Sequence, residues 1–409
     1  MIIGKEIYKF AKQLWPLNRS LTGEGVRETL REINSHIPNL VTKSIKTGTK
    51  VFDWTVPKEW QVNDAYIITP AGKKVCDFKR NNLHLIGYSV PFKGEMSLNE
   101  LKKHLYTLPN QPHAIPYITS YYEKKWGFCI SQNNFNKLKK GIYKVVVDTK
   151  LFNGVLNYGE LYIPGKLKKE IFLSTYICHP SMANNELSGI AVLTFLSQWL
   201  EKLDNREFSY RIVFVPETIG SITYLSINYK KMKKNICAGF NITCVGDDRK
   251  YSYLPSRNGS TVSDDVAKHI LRWIDPKFIN YTWLDRGSDE RQYCAPGIDL
   301  PIASIMRSKY GEYPEYHTSL DNFENVVSPE GLNGGYWAIR KALELLERNK
   351  KFQVTKLCEP QMSKRKLYST LSTKKKNLQT NLMMDFLSLC DGKTPLLDVA
   401  NKLNVPAWE

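Results

Sequence analysis

The stretch from Ile171 to Leu193 constrains the fold more than any other part of the chain. It begins with an apolar, β-branched run of strand length, passes through a polar loop that includes His179 and Asn185, and ends with apolar residues at helical spacing. This pattern predicts a strand that leads through a loop into a helix. His179 then stands at the carboxyl end of a strand, the edge at which open α/β sheets bind ligands. A metal ligand is one interpretation of His179, and a loop histidine with a backbone hydrogen-bond partner is the other.

Strand-like and helix-like segments continue to alternate on both sides of this stretch. The segment 1–40 has helical periodicity, and apolar runs alternate with helical patterns from about residue 171 to 348. Between them, residues 42–162 carry short β-like runs separated by turn residues. We therefore predict an α/β domain, a mostly parallel sheet flanked by helices, from 1–41 and 163–352. A β-rich domain of 42–162 is inserted into it, and 363–409 form a small helical module.

Composition limits the class of protein. Of the 409 residues, 42% are hydrophobic and 24% are charged, as in soluble globular proteins. No apolar run of membrane-spanning length and no signal-peptide pattern occur, so we predict a cytoplasmic protein without a membrane partner. The eight cysteines form no Cys-x-x-Cys pair, which argues against a structural zinc knuckle or a redox motif. The net charge of +18 indicates an anionic partner or, alternatively, a solvated lysine-rich surface.

The loop from His179 to Gly189 reads His-Pro-Ser-Met-Ala-Asn-Asn-Glu-Leu-Ser-Gly. It resembles the metal-binding loop of the co-catalytic zinc aminopeptidases, in which a histidine precedes Gly-Ala-Asn-Asp-x-x-Ser-Gly and the aspartate bridges two zinc ions. The whole chain resembles the bacterial aminopeptidase-like proteins that are associated with polysaccharide biosynthesis and end in a winged helix. This resemblance implies a zinc-aminopeptidase-like fold, and it implies that 363–409 is part of a winged helix.

Three further segments extend the resemblance. The segment Val213–Ser221 resembles the one that carries the general base, which implies that role for Glu217. The strand-like Gly239–Val245 has Thr243 where the aminopeptidases have a zinc-binding aspartate. Gly311–Asp321 resembles the Tyr-His-Thr-x-x-Asp motif, which implies that His317 is the last zinc ligand. For Glu217 the alternative is an acidic residue that the helix dipole favours at a helix N-terminus.

Three departures from the aminopeptidase pattern reduce the expected metal content. Asn185 occupies the position of the bridging aspartate, and Thr218 and Thr243 replace metal-binding carboxylates. A neutral amide bridges two cations poorly. We therefore expect one zinc ion at most, bound by His179 and His317 with Asn185 or Glu217 as a third ligand. Complete loss of the metal is the alternative.

A group of charged and aromatic residues accompanies these motifs, and one stretch of it, Ser288–Tyr293, resembles an aminopeptidase loop near the substrate pocket. Arginine binds carboxylate or phosphate bidentately, so we predict an acidic substrate. The alternative is a structural network in which these arginines pair with neighbouring carboxylates. The predicted substrate-binding residues are Arg257, Arg286, Asp289, Glu290, Arg291, Arg307 and Tyr316.

The sequence thus predicts a metal-dependent, aminopeptidase-like amide hydrolase that acts on a small acidic substrate in a cytoplasmic biosynthetic pathway. The alternative is a non-catalytic protein that binds an anionic sugar, a peptide or a partner protein. Nucleic-acid binding through the basic charge and the C-terminal module ranks last. The partners that we consider also include a second copy of the chain, in a homo-oligomer.

Overall fold

The computed structural model describes residues 2–121, 123–367 and 378–409, and for Leu378 only the backbone. In chain order, its helices are α1 (Ile2–Leu14), α2 (Glu24–His36), α3 (Leu98–Leu101), α4 (Gln132–Phe135), α5 (Ser188–Lys202), α6 (Ile219–Asn235), α7 (Val262–Ile274), α8 (Glu290–Tyr293), α9 (Pro329–Arg348), α10 (Leu378–Leu389) and α11 (Leu396–Leu403). Its strands are β1 (Val41–Lys46), β2 (Lys50–Val51), β3 (Trp54–Thr55), β4 (Glu59–Ile68), β5 (Lys74–Val75), β6 (Phe92–Ser97), β7 (Leu105–Tyr106), β8 (Phe128–Cys129), β9 (Ile142–Phe152), β10 (Val155–Ile163), β11 (Glu170–Tyr176), β12 (Ser209–Val215), β13 (Ile236–Asn241), β14 (Ser252–Leu254), β15 (Ile279–Asn280), β16 (Ile302–Met306), β17 (Lys351–Gln353) and β18 (Asp391–Pro395).

Eight strands form the large sheet, in the order β1-β10-β12-β11-β13-β16-β14-β15. The four strands β12, β11, β13 and β16 are parallel to one another. Towards the edges, β10 runs antiparallel to β12, β1 to β10, and β14 to β16. The α/β class is therefore correct, and the sheet is a mixed one whose parallel part lies at its centre.

Strand β11 is buried on both faces. All seven of its residues are buried, and successive side chains point to opposite sides of the sheet. Ile171 and Leu173 join the core that includes α1, α5 and α9, whereas Phe172 joins a second core with α6 and the inserted strands. This double burial explains why the sequence of β11 is a continuous apolar run.

The inserted region forms its own four-stranded sheet, in the order β5-β4-β9-β6. Strands β1 and β10, which lie at the two ends of the predicted range 42–162, pair instead with the large sheet. The part of the chain that pairs apart from the large sheet is therefore 50–152. The boundaries of the three predicted units otherwise stay predictions.

The C-terminal module consists of the antiparallel strand pair β17–β18 and helices α10 and α11. It contacts α7 of the α/β domain, because the Nδ1 atom of His269 lies 2.7 Å from Oδ1 of Asn401. Part of the predicted module, residues 368–377, lies outside the described residues. Within the described residues, no helix is both long and apolar enough to cross a membrane.

Candidate active site

His179 lies three residues after the end of β11, at the carboxyl edge of the sheet, and is 5% exposed. Its Nδ1 atom lies 2.7 Å from Oε2 of Glu186, and its backbone N–H donates to the same oxygen at 2.6 Å. Burial opposes a charge on His179, but the hydrogen bond and the attraction to Glu186 raise its pKa. Glu186 therefore fixes the orientation of the ring and leaves Nε2 as the nitrogen available to a ligand.

Arg19 compensates the charge of Glu186. Its side chain is fully buried, and its Nε–H donates to Oε1 of Glu186 at 3.0 Å and to the carbonyl oxygen of His179 at 3.1 Å. Cys178, His179 and Glu186 lie close enough to one another to hold a metal ion. However, one oxygen of Glu186 already binds Arg19, and the other binds Nδ1 of His179. We therefore interpret Glu186 and Arg19 as residues that support His179.

His317 lies in the loop between β16 and α9, with a φ of 54°. Its Nε2 atom is buried and has no hydrogen-bond partner among the described residues. Its ring lies 5.4 Å from the ring of His179, centroid to centroid, and stacks on Tyr316 at 3.9 Å. Burial, reinforced by the neighbouring His179, lowers the pKa of His317 to about 3, so this imidazole is neutral at physiological pH.

Glu217 lies two residues after the end of β12 and is partly buried. Its Oε2 atom lies 3.6 Å from Nε2 of His179, and its backbone N–H donates to Sγ of Cys178 at 3.1 Å. Burial raises the pKa of Glu217, and the positive charges of His179 and Arg291 oppose this shift. The predicted base and the two predicted histidine ligands thus meet at one edge of the sheet.

The predicted ligand Asn185 is tied to Thr243 through a tyrosine. The hydroxyl of Tyr176 lies 2.8 Å from Oδ1 of Asn185 and 2.5 Å from Oγ1 of Thr243. The side-chain nitrogen of Asn185 is buried without a hydrogen-bond partner among the described residues. Hence two of the three residues that replace carboxylates are linked, through Tyr176 and through the hydroxyl of Thr243, which lies 2.8 Å from the backbone carbonyl oxygen of Asn185.

Asp289 supports the loop that carries Glu217. It is fully buried, and its Oδ1 atom accepts hydrogen bonds from the backbone N–H of Thr218 and the hydroxyl of Ser221, both at 2.7 Å. Burial, together with the nearby Glu217, raises the pKa of Asp289 to about 8. These contacts hold the turn between β12 and α6, in which Thr218 has a φ of 64°.

Both carboxylate oxygens of Glu290 accept hydrogen bonds from neighbouring residues. Its Oε1 atom accepts from the N–H groups of Gly287 and Ser288 at 2.8 Å and from the hydroxyl of Tyr310 at 2.6 Å. Its Oε2 atom accepts from Asn241 at 3.1 Å. The arrangement organises the loop before α8, and a role for Glu290 in binding substrate stays a prediction.

The four predicted arginines have different environments. Arg291 donates to Oγ1 of Thr218 at 3.1 Å, and its positive charge opposes the rise in the pKa of Glu217. Arg307 is buried, lies over the ring of Tyr251 and donates to the carbonyl oxygen of Asp247 at 2.6 Å. Arg257 pairs with Asp299, and Arg286 lies over the ring of Trp283. Of these contacts, only those of Arg291 reach the surroundings of Glu217.

The insert contributes an aromatic residue that sequence reasoning missed. The ring of Tyr117 lies 5.4 Å from that of His179 and 5.1 Å from that of His317, centroid to centroid. Its backbone N–H donates to the carbonyl oxygen of His317 at 2.9 Å. No motif distinguishes Tyr117, and only knowledge of the three-dimensional path of the insert would have found it.

Asp321 connects the two histidine loops. Its carboxylate accepts from the backbone N–H groups of Asn184 and Asn185, at 2.7 and 3.0 Å, and from the hydroxyl of Tyr313 at 2.9 Å. Burial raises its pKa to about 6, against the effect of these donors. The carboxylate caps the π-helical turn Ala183–Leu187 that precedes α5.

The donor types present suit one metal ion and do not suit two. Among the described residues, the buried Nε2 of His317 has no hydrogen-bond partner, Nε2 of His179 faces away from Glu186, and the Glu217 carboxylate lies beside that nitrogen. Two imidazoles and one carboxylate are a ligand set that zinc uses in catalytic sites. A second ion would depend on Asn185 and Thr243, which offer no negative charge and bind Tyr176.

Two family models together match nearly the whole chain. Residues 8–349 match the model described as "Domain of unknown function (DUF4910)", and residues 350–409 match a winged helix-turn-helix model. The chain belongs to the DUF4910 family. A Clostridium acetobutylicum protein, named as a polysaccharide biosynthesis protein with an aminopeptidase-like domain, is 45% identical over 401 residues, which cover 98% of this chain and 91% of that protein.

Solved structures agree with this assignment. A crystal structure of a candidate peptidase from Clostridium acetobutylicum is 44% identical, with a TM-score of 0.93, and the match covers 99% of this chain and 92% of that one. A zinc aminopeptidase from Bacillus subtilis is 15% identical, with a TM-score of 0.60 over 84% of this chain and 94% of that one. The predicted aminopeptidase-like fold and C-terminal winged helix are therefore confirmed.

Proposed function

We propose that this chain is an aminopeptidase-like amide hydrolase that depends on a single metal ion. The observation that carries the proposal is the buried Nε2 of His317, which has no hydrogen-bond partner among the described residues, on a ring that lies next to that of His179. His179 and His317 would hold the ion. Asn185 would complete the set when Glu217 acts as the base, and Glu217 could complete it only if it does not serve as the base. A bound zinc ion would supply a Lewis acid that polarises the amide carbonyl of the substrate.

In this proposal Glu217 is the general base. Its raised pKa makes it a better proton acceptor than an exposed carboxylate, and its position at the strand end leaves it partly accessible to water. Glu217 would take a proton from the attacking water and return it to the amine that leaves. Asp289 holds the turn after Glu217 and so fixes its backbone.

The substrate that we propose is small and acidic. Arg291 is the one of the four predicted arginines whose contacts reach Glu217's surroundings, so it is our candidate for binding a substrate carboxylate or phosphate. Tyr117 and Tyr316 flank the histidines and would limit the size of a group bound there. The name of the Clostridium acetobutylicum relative supports a place in polysaccharide biosynthesis.

Metal content tests the proposal directly. We expect close to one zinc per chain by plasma mass spectrometry in protein purified without chelator, and a large loss of zinc in His317→Ala. His113→Ala is the matched control, because His113 is an exposed histidine of the insert and should keep the metal. A native chain without zinc would contradict the proposal.

Glu217→Gln tests the assignment of the base. We expect the rate of hydrolysis of aminoacyl amides to fall at least about a hundredfold, because a positioned general base contributes a factor of that order. The free energy of unfolding should change little, since the glutamine keeps the shape and the backbone hydrogen bond to Cys178. Full activity in this variant would refute the role of Glu217.

The second candidate function is non-catalytic binding of an anionic sugar, a peptide or a partner protein. The observation that favours it is the network of Asn185, Tyr176 and Thr243. In this network, two neutral side chains that stand at the positions of metal-binding carboxylates bind the hydroxyl of Tyr176. Asn185→Asp discriminates between the two functions. Zinc in the aspartate variant but none in the native chain would favour binding.

A further inference from the structure

The insert contains a concave site that shares no residue with the crevice around His179. Its volume is about 650 Å³, which is within the range of small-molecule pockets. The turn and strand of residues 69–75 form one wall, and residues 134–140 form a second wall. We call this site the insert cleft.

The insert cleft has an unbalanced charge. Among the described residues, its lining includes six cations, Lys73, Lys74, Arg80, Lys137, Lys139 and Lys140, and one carboxylate, Asp77. Asp77 is already compensated, because Nζ of Lys74 lies 3.0 Å from its Oδ1. Four of the cations, Lys73, Lys137, Lys139 and Lys140, have no carboxylate within 4.0 Å among the described residues. Like charges gathered around a concavity attract an anion.

Backbone contacts hold both walls in place. In the first wall, the N–H of Thr69 donates to the carbonyl oxygen of Lys73 at 2.9 Å, and Gly72 has a φ of 76°. In the second wall, the hydroxyl of the buried Tyr143 donates to the carbonyl oxygen of Lys139 at 2.7 Å. The walls meet at Gly141, where an added Cβ would lie 2.5 Å from Cγ of Pro70. A cleft built in this way needs little ordering when a ligand binds.

The interior of the insert cleft is apolar and uncharged. Cys76 and Ile130 are buried there, and Val75 and Leu138 are partly buried. His84 also lines it, with its Nδ1 atom 2.7 Å from the carbonyl oxygen of Cys129, and burial lowers its pKa. An apolar interior with a cationic rim is complementary to a ligand that combines an organic body with negative charge at one end.

We propose that the insert cleft binds a small organic diphosphate of the nucleoside diphosphate class. The lysines on the two walls bind the phosphates, and the organic part packs against Val75, Ile130 and Leu138. Diphosphate fits better than a single carboxylate because several cations of the lining have no carboxylate partner among the described residues and can share its oxygens. This inference does not depend on the proposed hydrolase activity.

Calorimetric titration of the full chain with uridine diphosphate at low ionic strength tests the inference. We expect saturable binding with one site per chain, which weakens as salt is added. The variant Lys139→Glu with Lys140→Glu should bind about tenfold more weakly, since two charged contacts become repulsive. Lys93→Glu with Lys150→Glu is the matched control, because both lysines are exposed on the same four-stranded sheet and lie outside the cleft.

The affinities of the cleft variant and of the control variant together test the proposal. Loss of affinity in the cleft variant alone, with inorganic pyrophosphate binding more weakly than uridine diphosphate, would support the proposal. An equal loss in both variants would show general attraction to a basic surface, and absence of saturable binding would also overturn the inference. Thermal unfolding of each variant checks the fold, and Lys139→Gln with Lys140→Gln replaces the cleft variant if the reversed charges prevent folding.

Discussion

Arg19 is the residue on which the geometry of His179 depends most. It is a fully buried cation whose partner Glu186 is also fully buried, and Glu186 in turn holds Nδ1 of His179. Burial lowers the pKa of Arg19, and Glu186 opposes that shift. The three residues form a chain of contacts from the loop after α1 to the edge of the sheet, so the arginine acts on the site without facing it.

Arg19→Met should therefore cost much more stability than most single substitutions. Removal of one partner leaves the Glu186 carboxylate buried without its cation, and such losses cost about 3–5 kcal/mol. We expect a decrease of that size in the free energy of unfolding by urea, together with loss of zinc.

The matched control is Arg31→Met, which removes an exposed pair with Glu24 and should cost about 0–1 kcal/mol. Equal effects of the two substitutions would show that Arg19 contributes no more than a surface charge.

Among the individual residues of the candidate site, only those that belong to motifs could be predicted from the sequence. His179, Glu217 and His317 follow strands or stand in a recognisable pattern, so their convergence at one sheet edge could be predicted. Tyr117 and Tyr176 have no such pattern, because their roles depend on which loops meet in space. The arginines were harder to judge, since a sequence does not show whether a carboxylate or a carbonyl oxygen already binds a guanidinium.

At the scale of elements, the strands buried on both faces were the easiest to predict. Strands β11 and β12 are continuous apolar runs, and α9 begins at Pro329 with the hydroxyl of Ser328 accepting from the N–H of Gly331. The sequence assigns β1 and β10 to the insert because both lie within the continuous series of short β-like runs from residue 42 to 162. Alternation shows that a strand has two unlike faces, but it does not show which sheet the strand joins.

Helix α7 and the C-terminal module meet at a histidine whose protonation should weaken their contact. The buried His269 accepts a hydrogen bond at Nε2 from the N–H of Ala407 at 3.0 Å, so its Nδ1 carries the proton that faces Asn401. Burial lowers the pKa of His269, the hydrogen bond to Asn401 opposes the shift, and Arg272 adds to it. Because the folded pKa lies below the unfolded value of about 6.5, this stability is complete above pH 6.5 and is lost as the pH falls towards the folded pKa.

The difference in free energy of unfolding between the native chain and His269→Gln isolates this effect. We expect it to shrink between pH 7.5 and pH 5 by about 1 kcal/mol, the value of one hydrogen bond, because only the native chain must protonate His269 on unfolding. His113→Gln, which removes an exposed histidine of the insert, is the matched control. A difference for His269→Gln that stays constant would contradict the prediction.

At the scale of the whole molecule, the insert and the α/β domain together build the candidate site. The segment before Tyr117 pairs with the loop of His317: the N–H of Tyr117 donates to the carbonyl oxygen of His317, and the N–H of Ser319 donates to that of Ile115, both at 2.9 Å. Ile115 also donates to the hydroxyl of Ser319 at 3.0 Å. A loop that borders the active site is often the part of a protein that opens most easily. Here the hydrogen bonds between residues 115–117 of the insert and 317–319 of the domain argue against such an opening.

Hydrogen exchange can decide whether the insert opens as a lid. If these bonds join the insert to the domain, the amides of Tyr117 and Ser319 should exchange about as slowly as that of Leu173 in the core strand β11, through the same global unfolding. If the insert swings away in the native state, peptides that contain Tyr117 and Ser319 should exchange with a free energy near zero while Leu173 stays protected. The exposed turn at Asp53, between the paired strands β2 and β3, is the internal reference for fast exchange, because it lies at the surface in either case. Slow exchange would mean that substrate reaches His179 and His317 past a fixed Tyr117, so the width of the crevice, and not a moving lid, limits the size of what can bind.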